Sequence, residues 1–243
     1  LTTCRNARIM KEIRSRKHLT KINTDVFLCW GAISVDAKGA GTNMKKKTYE
    51  ELIKESPVTY EMYAEMIDDG NRYEISDGVL ELMSPAPTTT HQSFVNELQY
   101  KFNVSCRNEY IIYSSPVDVI LSATEVRQPD LVLIHRSRID IIEERGINGA
   151  PDLVVEITSK HSRRRDKVQK RIAYAKYGVP EYWIIDLASF TLEQYVLDGE
   201  RYELAEVYAE DETVRSNIVA CAAFSMNELV QGLPVPVRSD KTD

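Results

Sequence analysis

Two apolar runs in this sequence each carry an acid that their pattern would bury. Gln128-Pro129-Asp130-Leu131-Val132-Leu133-Ile134 has Asp130 near its head, and Asp152-Leu153-Val154-Val155-Glu156-Ile157-Thr158 has Glu156 inside it. In an extended strand, residues 152, 154, 156 and 158 share one face, and Leu153, Val155 and Ile157 share the other. Both faces are largely apolar, the pattern of a strand covered on two sides in an α/β sheet. A carboxylate in such a place requires a cation, a hydrogen-bond partner or a proton. The stretch from Lys160 to Lys176 follows, with eight Lys/Arg against one acid, Asp166. Two acid-bearing buried strands followed by a lysine-bearing helix are what a hard-metal phosphodiester site requires.

Composition narrows the alternatives. The chain has 243 residues and is 43% apolar, ample for a core. No run approaches the roughly 18 apolar residues that would span a bilayer. Cys4, Cys29, Cys106 and Cys221 are scattered without a C-x-x-C pair, which argues against a thiolate zinc site and fits a reducing compartment. His18, His91, His135 and His161 form no i, i+4 pair, so a zinc enzyme is not expected. The net charge of −6 is uneven: residues 1–47 hold eleven Lys/Arg and three Asp/Glu (+8), leaving −14 for the rest. A body that acidic binds nucleic acid only through a local basic surface, and residues 160–176 are the candidate.

The elements that would position these groups follow from the pattern. Residues 1–43 do not read like the rest: basic first, then Val26-Phe27-Leu28-Cys29-Trp30, then Gly39-Ala40-Gly41-Thr42. Asp25 and Asp36 bracket an apolar patch too short for a secretory leader. Met44 opens a lysine-rich start and is the expected natural beginning, with residues 1–43 an upstream extension. Tyr60 to Met66 reads as a short helix. Arg72 to Met83 reads as two strands around Asp77-Gly78. Thr88 to Thr90 supply an N-cap for a helix with Phe94, Val95, Leu98 and Phe102 on one stripe and His91 at its edge. Tyr110 to Leu121 is a long strand in which Pro116 implies an edge or bulge. After the Glu156 strand, a helix starts near Ser162 and stops at Gly178-Val179-Pro180. Its expected buried stripe is Val168, Ile172 and Ala175, with Asp166, Lys170 and Tyr174 on a second stripe. Glu181–Leu187 is another buried strand, 191–208 a hairpin, and Ser225-x-x-Glu228 a capping box. Residues 234–243 read as a flexible tail.

Five segments now stand in order: RYEISDG (72–78), MSPAPTTTH (83–91), QPDLVLI (128–134), GAPDLVVEITS (149–159) and RRRDKVQKRIAYAKYGVPEYWIID (163–186). On them the chain resembles the Uma2 (DUF820) family, a branch of the PD-(D/E)xK nuclease superfamily, over roughly residues 46–233, which makes 44–233 the expected nuclease domain. The resemblance implies an α/β (α+β) restriction-endonuclease-like core: a mixed central sheet flanked by helices in α-β-β-β-α-β order, with added hairpins. That order falls on the 91–105 helix, strands 110–121, 129–135 and 151–158, the 163–177 helix, and strand 181–187. The activity implied is Mg²⁺-dependent (or Mn²⁺-dependent) endonucleolytic hydrolysis of DNA by a homodimer; the sequence itself, without a membrane-spanning run, adds the expectation of no membrane and a cytoplasmic setting. Asp130 and Glu156 would hold metal, with the Ile157 carbonyl as a third ligand and Glu74 completing the shell. Thr158 stands where the simplest superfamily pattern has lysine. The resemblance therefore points to Lys170 as a migrated lysine, with Gln128 as a helper beside Asp130; His91, at the helix edge, reads first as a structural hydrogen-bonding residue and second as an auxiliary base.

Bland readings stand beside each of these. Asp130 and Glu156 could cap turns or form salt bridges, as Asp152 at a strand entrance is expected to do. Lys170 could pair with Asp166 one turn earlier. Arg163, Arg164, Arg165 and Lys167 could be a solvated helix start or phosphate contacts; cations there oppose the helix dipole, which favours a role beyond stability. Tyr174, Tyr177, Tyr182 and Trp183 read as packing residues, and no aromatic RNA-reading motif is present. The rival to the enzyme is a non-catalytic nuclease-fold module that binds nucleic acid or a protein partner.

Overall fold

The computed structural model describes residues 46–55, 57–158 and 165–234, apart from the side chains of Arg165 and Asp166. The chain divides into two units at Met44/Lys45, and the described residues lie in the second. The expectations for residues 1–43 and for the 235–243 stretch of the tail, and those for Arg163 and Arg164, lie outside the described residues.

The elements run α1 (Tyr49–Leu52), α2 (Tyr60–Ala64), β1 (Tyr73–Ser76), β2 (Val79–Leu82), α3 (Thr89–Ser105), β3 (Tyr110–Ser114), β4 (Val119–Ser122), β5 (Glu125–Arg127) and β6 (Leu131–His135). A 3₁₀ turn (Arg136–Ile141), β7 (Ile147–Asn148), β8 (Leu153–Thr158), a π-helical turn (Arg165–Lys170) and α4 (Arg171–Lys176) follow. The chain continues through β9 (Glu181–Asp186), β10 (Thr191–Asp198), β11 (Arg201–Tyr208), β12 (Thr213–Arg215), β13 (Ala223–Ser225) and α5 (Met226–Gln231).

The main sheet has the order β11-β10-β9-β8-β6-β3, and only its β8–β9 pair is parallel. Within it the chain runs α3, β3, β6, β8, α4, β9, the expected α-β-β-β-α-β order. Alternation sorts each strand between two cores. Leu131, Leu133, Leu153, Val155, Trp183 and Ile185 pack with Phe94, Leu98 and Phe102 of α3. Val132, Ile134, Val154, Tyr182 and Ile184 pack on the opposite face with Tyr174 of α4. The sheet is thus covered on both sides, as the near-continuous apolar runs require.

A second sheet, β2-β1-β5-β4-β7, has its own core around Leu52, Tyr73, Ile75 and Val126. The β1–β2 turn is Asp77-Gly78 with φ of 47° and 77°, the left-handed pair that a two-residue hairpin needs. A side chain at Gly78 would also strike Pro57, 2.5 Å away.

Three expectations are corrected here. The long strand 110–121 is two strands in different sheets, because Pro116 has no N–H to continue the ladder. The buried stripe of the basic helix is only partly as expected: Ala175 is buried, but Val168 and Ile172 are exposed, whereas Lys170 and Tyr174 are buried. Cys106 and Cys221 are joined in a disulfide that spans 115 residues, so half of the cysteines are not free thiols. Among the described residues no helix is long and apolar enough to cross a membrane.

Candidate active site

The register of the main sheet places the two acids together. In the antiparallel β6–β8 pair Leu131 faces Val155, Val132 faces Val154 and Leu133 faces Leu153. Extending that register by one residue sets Asp130 across from Glu156. Asp130 bends toward the strand end: its Oδ2 accepts the Ile157 N–H at 2.8 Å. From the α3 side, His91 Nε2 lies 3.2 Å from the same oxygen and 3.0 Å from the Ile157 carbonyl oxygen. His91 holds this place because Thr88 caps α3, its hydroxyl accepting the His91 N–H.

Glu156 points to the other face, where α4 covers it. Lys170 Nζ donates to its Oε1 at 2.8 Å and Tyr174 OH donates to the same oxygen at 3.0 Å. Lys170 also lies 3.1 Å from Glu74 Oε1, which is held in turn by the Gln128 N–H at 2.9 Å. Glu74 Oε2 is 3.6 Å from Arg127 Nη1, and Arg127 Nη2 is 2.5 Å from Glu125 Oε1. Arg127 also donates to Ser76 Oγ at 2.7 Å. The result is a buried ladder of alternating charge, Glu156–Lys170–Glu74–Arg127–Glu125, running from the main sheet into the second one. Such a ladder is tolerable under cover because each charge meets an opposite one. Burial by itself would lower the Arg127 pKa, but Glu74 and Glu125 outweigh it and hold the guanidinium above its ordinary value. Burial, then the Glu156 carboxylate, pushes the Tyr174 phenol well above its usual value, so it stays a donor.

A cavity of about 500 Å³ opens onto this junction, lined by Asp130, Glu156, Ile157, Lys170, Gln128, His91 and Arg72 among others. Six of the expected site residues (Asp130, Glu156, Ile157, Lys170, Gln128 and His91) therefore meet at one opening, and Glu74 stands behind Lys170. Lys167 is elsewhere, its ammonium paired with Glu193. Asp152 is the turn cap it reads as, accepting from the His135 N–H at 2.7 Å and from Arg138 at 2.8 Å. Thr158, in the place of the missing strand lysine, donates to the Ile185 carbonyl at 3.4 Å.

The donor set fits a hard cation. Asp130 Oδ1 takes no hydrogen bond among the described residues, Asp130 and Glu156 both line the cavity, and the Ile157 carbonyl adds a neutral oxygen. Among the described residues no three His, Cys, Asp or Glu side chains stand together as a ready-made metal cage. Mg²⁺ needs none, since it binds through one or two carboxylates and retains several waters.

Two partners of the acids escape a reading from sequence, in which Tyr174 is a packing residue only and Arg127 is not singled out, and each has a visible cue. Tyr174 shares the i, i+4 stripe of Lys170. Arg127 alternates with Glu125 across Val126 in a three-residue strand, which puts the ion pair on one face.

Comparison with known proteins agrees with this architecture. A family model, Uma2, described as a putative restriction endonuclease, matches residues 60–227. A crystal structure of a putative nuclease belonging to DUF820 from Anabaena variabilis ATCC 29413 superposes with a TM-score of 0.60 at 20% identity. That match covers 72% of this chain and 99% of the other, and it is a likeness of fold. No curated protein matches the chain.

Proposed function

Because the chain belongs to the Uma2 family, we propose that it is an endonuclease dependent on Mg²⁺ (or Mn²⁺) that hydrolyses DNA phosphodiester bonds. The observation that carries this reading is the convergence of Asp130, Glu156, the Ile157 carbonyl and Lys170 on one cavity. Asp130, Glu156 and Ile157 would hold the metal, with Glu74 behind them. The bound ion supplies Lewis-acid neutralisation of charge that gathers on the phosphate oxygens during in-line attack. Lys170 fixes the Glu156 carboxylate and brings an ammonium to the cavity wall, where it orients the attacking water and offsets charge. His91 positions Asp130 against the Ile157 carbonyl. Gln128 holds Glu74 from its backbone. Arg163, Arg164, Arg165 and Lys167 would meet the flanking backbone, with Lys167 first released from Glu193. Two copies acting as a homodimer would serve both strands. We place the activity in the cytoplasm with its substrate; the Cys106–Cys221 bond speaks for an oxidising setting, and its state in freshly isolated protein is the check.

One observation favours a second reading. Lys170 is 2% exposed and engaged by two glutamates, an arrangement that also suits a structural clamp in a non-catalytic nuclease-fold module. Plasmid cleavage with Mg²⁺ or Mn²⁺ separates the two. Nicking by wild type that disappears in Asp130→Asn, Glu156→Ala and Lys170→Ala supports the enzyme and its lysine. Nicking that survives Lys170→Ala rejects that lysine. No nicking and no calorimetric metal binding by wild type favours the module.

A further inference from the structure

Arg72, the residue before β1, lines the same cavity and has no role in the scheme above. Its side chain is held along one edge. Nε and Nη2 donate to Gln128 Oε1 at 2.9 and 2.7 Å, and Nη2 donates to Ser115 Oγ at 2.6 Å. Gln128 is fixed in that orientation because its Nε2 donates to Asp118 Oδ1 at 2.7 Å. The Arg72 clamp is thus built from neutral groups. Nη1 has no protein hydrogen bond, and no carboxylate lies within ion-pair range of the guanidinium, among the described residues.

The other cations nearby differ. Lys170 lies between Glu156 and Glu74, and Arg127 between Glu74 and Glu125. Arg72 is therefore a cavity-wall cation that is rigidly placed and has no carboxylate in direct contact; Asp118, reached through Gln128, feels its charge from farther away. A preorganised guanidinium with an open amino group suits a phosphate oxygen and loses little freedom on meeting one. We propose that Arg72 is a phosphate anchor, gripping the DNA backbone beside the scissile bond while Asp130 and Glu156 serve the bond itself. The assignment rests on the nuclease reading for its ligand and is separable from it by experiment.

The test is fluorescence anisotropy of a labelled duplex of about 20 base pairs in EDTA across a NaCl series, using the whole chain; that length covers a typical site. Arg72→Ala should weaken binding about tenfold at low salt, the loss of one charge-assisted hydrogen bond. It should also flatten the log–log salt slope by about 1. Arg72→Lys keeps the charge, so its slope should match wild type while its affinity falls between the two. Wild-type affinity and slope in Arg72→Ala would overturn the anchor, and so would failure of wild type to bind the duplex. Equal weakening in both variants with an unchanged slope would make Arg72 merely structural and also overturn it. Duplex binding with the expected Arg72 effects but no metal-dependent cleavage would leave the anchor and sink the nuclease. Cleavage with no Arg72 effect would do the reverse.

Discussion

Replacing Lys170 with Met removes one charge from a place where two carboxylates depend on it. Lys170 Nζ is 2.8 Å from Glu156 and 3.1 Å from Glu74, and the two glutamate side chains are 5% and 0% exposed. Met matches the lysine stem closely, so lost packing is small. What remains is a pair of buried carboxylates that previously shared one cation. Removing one partner of a buried pair costs about 3–5 kcal/mol. For a domain of this size, with about 2–4 °C per kcal/mol, the melting temperature should fall by about 6–20 °C. A second change isolates the cause. In the double variant Lys170→Met/Glu156→Gln, the new amide oxygen can still accept the Tyr174 hydroxyl, and Glu74 keeps Arg127 and the Gln128 N–H. At least half of the lost stability should return, giving a coupling of about 2 kcal/mol between the two sites. Urea unfolding followed by far-UV circular dichroism at neutral pH measures all three proteins. A cost under about 1 kcal/mol for the single change would refute the account, given the usual size of buried-pair loss. Absence of rescue in the double variant would do the same. Rescue of stability should bring no rescue of nicking, since neither variant has the ammonium.

Tyr174→Phe should cost about 1.5–3 kcal/mol, the worth of a buried hydrogen bond to a charged acceptor, read as a shift in the urea midpoint. Glu181→Ala should cost about 3 kcal/mol or more, because it strands several buried donors. These are Trp183 Nε1 on β9 itself, Gln194 Nε2 on β10 and the Ser216 hydroxyl, each at 2.6 Å, the last pinning the 213–219 segment to β9. Reducing the disulfide, or Cys221→Ser, should cost about 2–4 kcal/mol for so long a loop, measured as melting with and without dithiothreitol. Burial raises the Asp118 carboxyl above its ordinary value of 3.8, against the opposing pull of Gln128 and Arg72. The folded protein therefore keeps that proton to higher pH than the unfolded chain, and folding loses stability as pH rises from about 4 through the raised value. Asp118→Asn has no such loss, so its advantage over wild type should grow between about pH 4 and about pH 7; an equal difference at both would contradict the shift.

The paired strands are legible in the sequence because β6 and β8 are apolar on both faces, and a carboxylate is conspicuous there. The order of the core elements follows from the same runs and from the capped α3 stripe. The basic helix departs from its hydropathy pattern for a physical reason. Hydropathy assigns Val168 and Ile172 to the core, yet the strongest demand on that face is the charge of Glu156, which Lys170 and Tyr174 satisfy. The π turn also lodges an extra residue ahead of α4, so a stripe counted at about 3.6 residues per turn drifts out of phase. Contacts between distant segments leave no local trace. Nothing near Arg72 announces Gln128, 56 residues on, and nothing near Cys106 announces Cys221.

The π turn has one further effect. A lysine two positions after Glu156 would share its strand, and strand and charge would stay or leave together. Lys170 instead ends a six-residue turn and leads into a six-residue helix, which are tied to the strands through side chains, Lys170 and Tyr174 on Glu156 and Lys167 on Glu193. Opening of that module would leave the β8 ladder paired, but it would strip Glu156 of both Lys170 and Tyr174 and so carries the cost of a buried carboxylate without its cation. Whether the site is assembled is then a question separate from whether β8 is paired, and local exchange is the measurement that reads it. Amide exchange across 167–176 should run ahead of exchange in β8 and report how often the site stands complete.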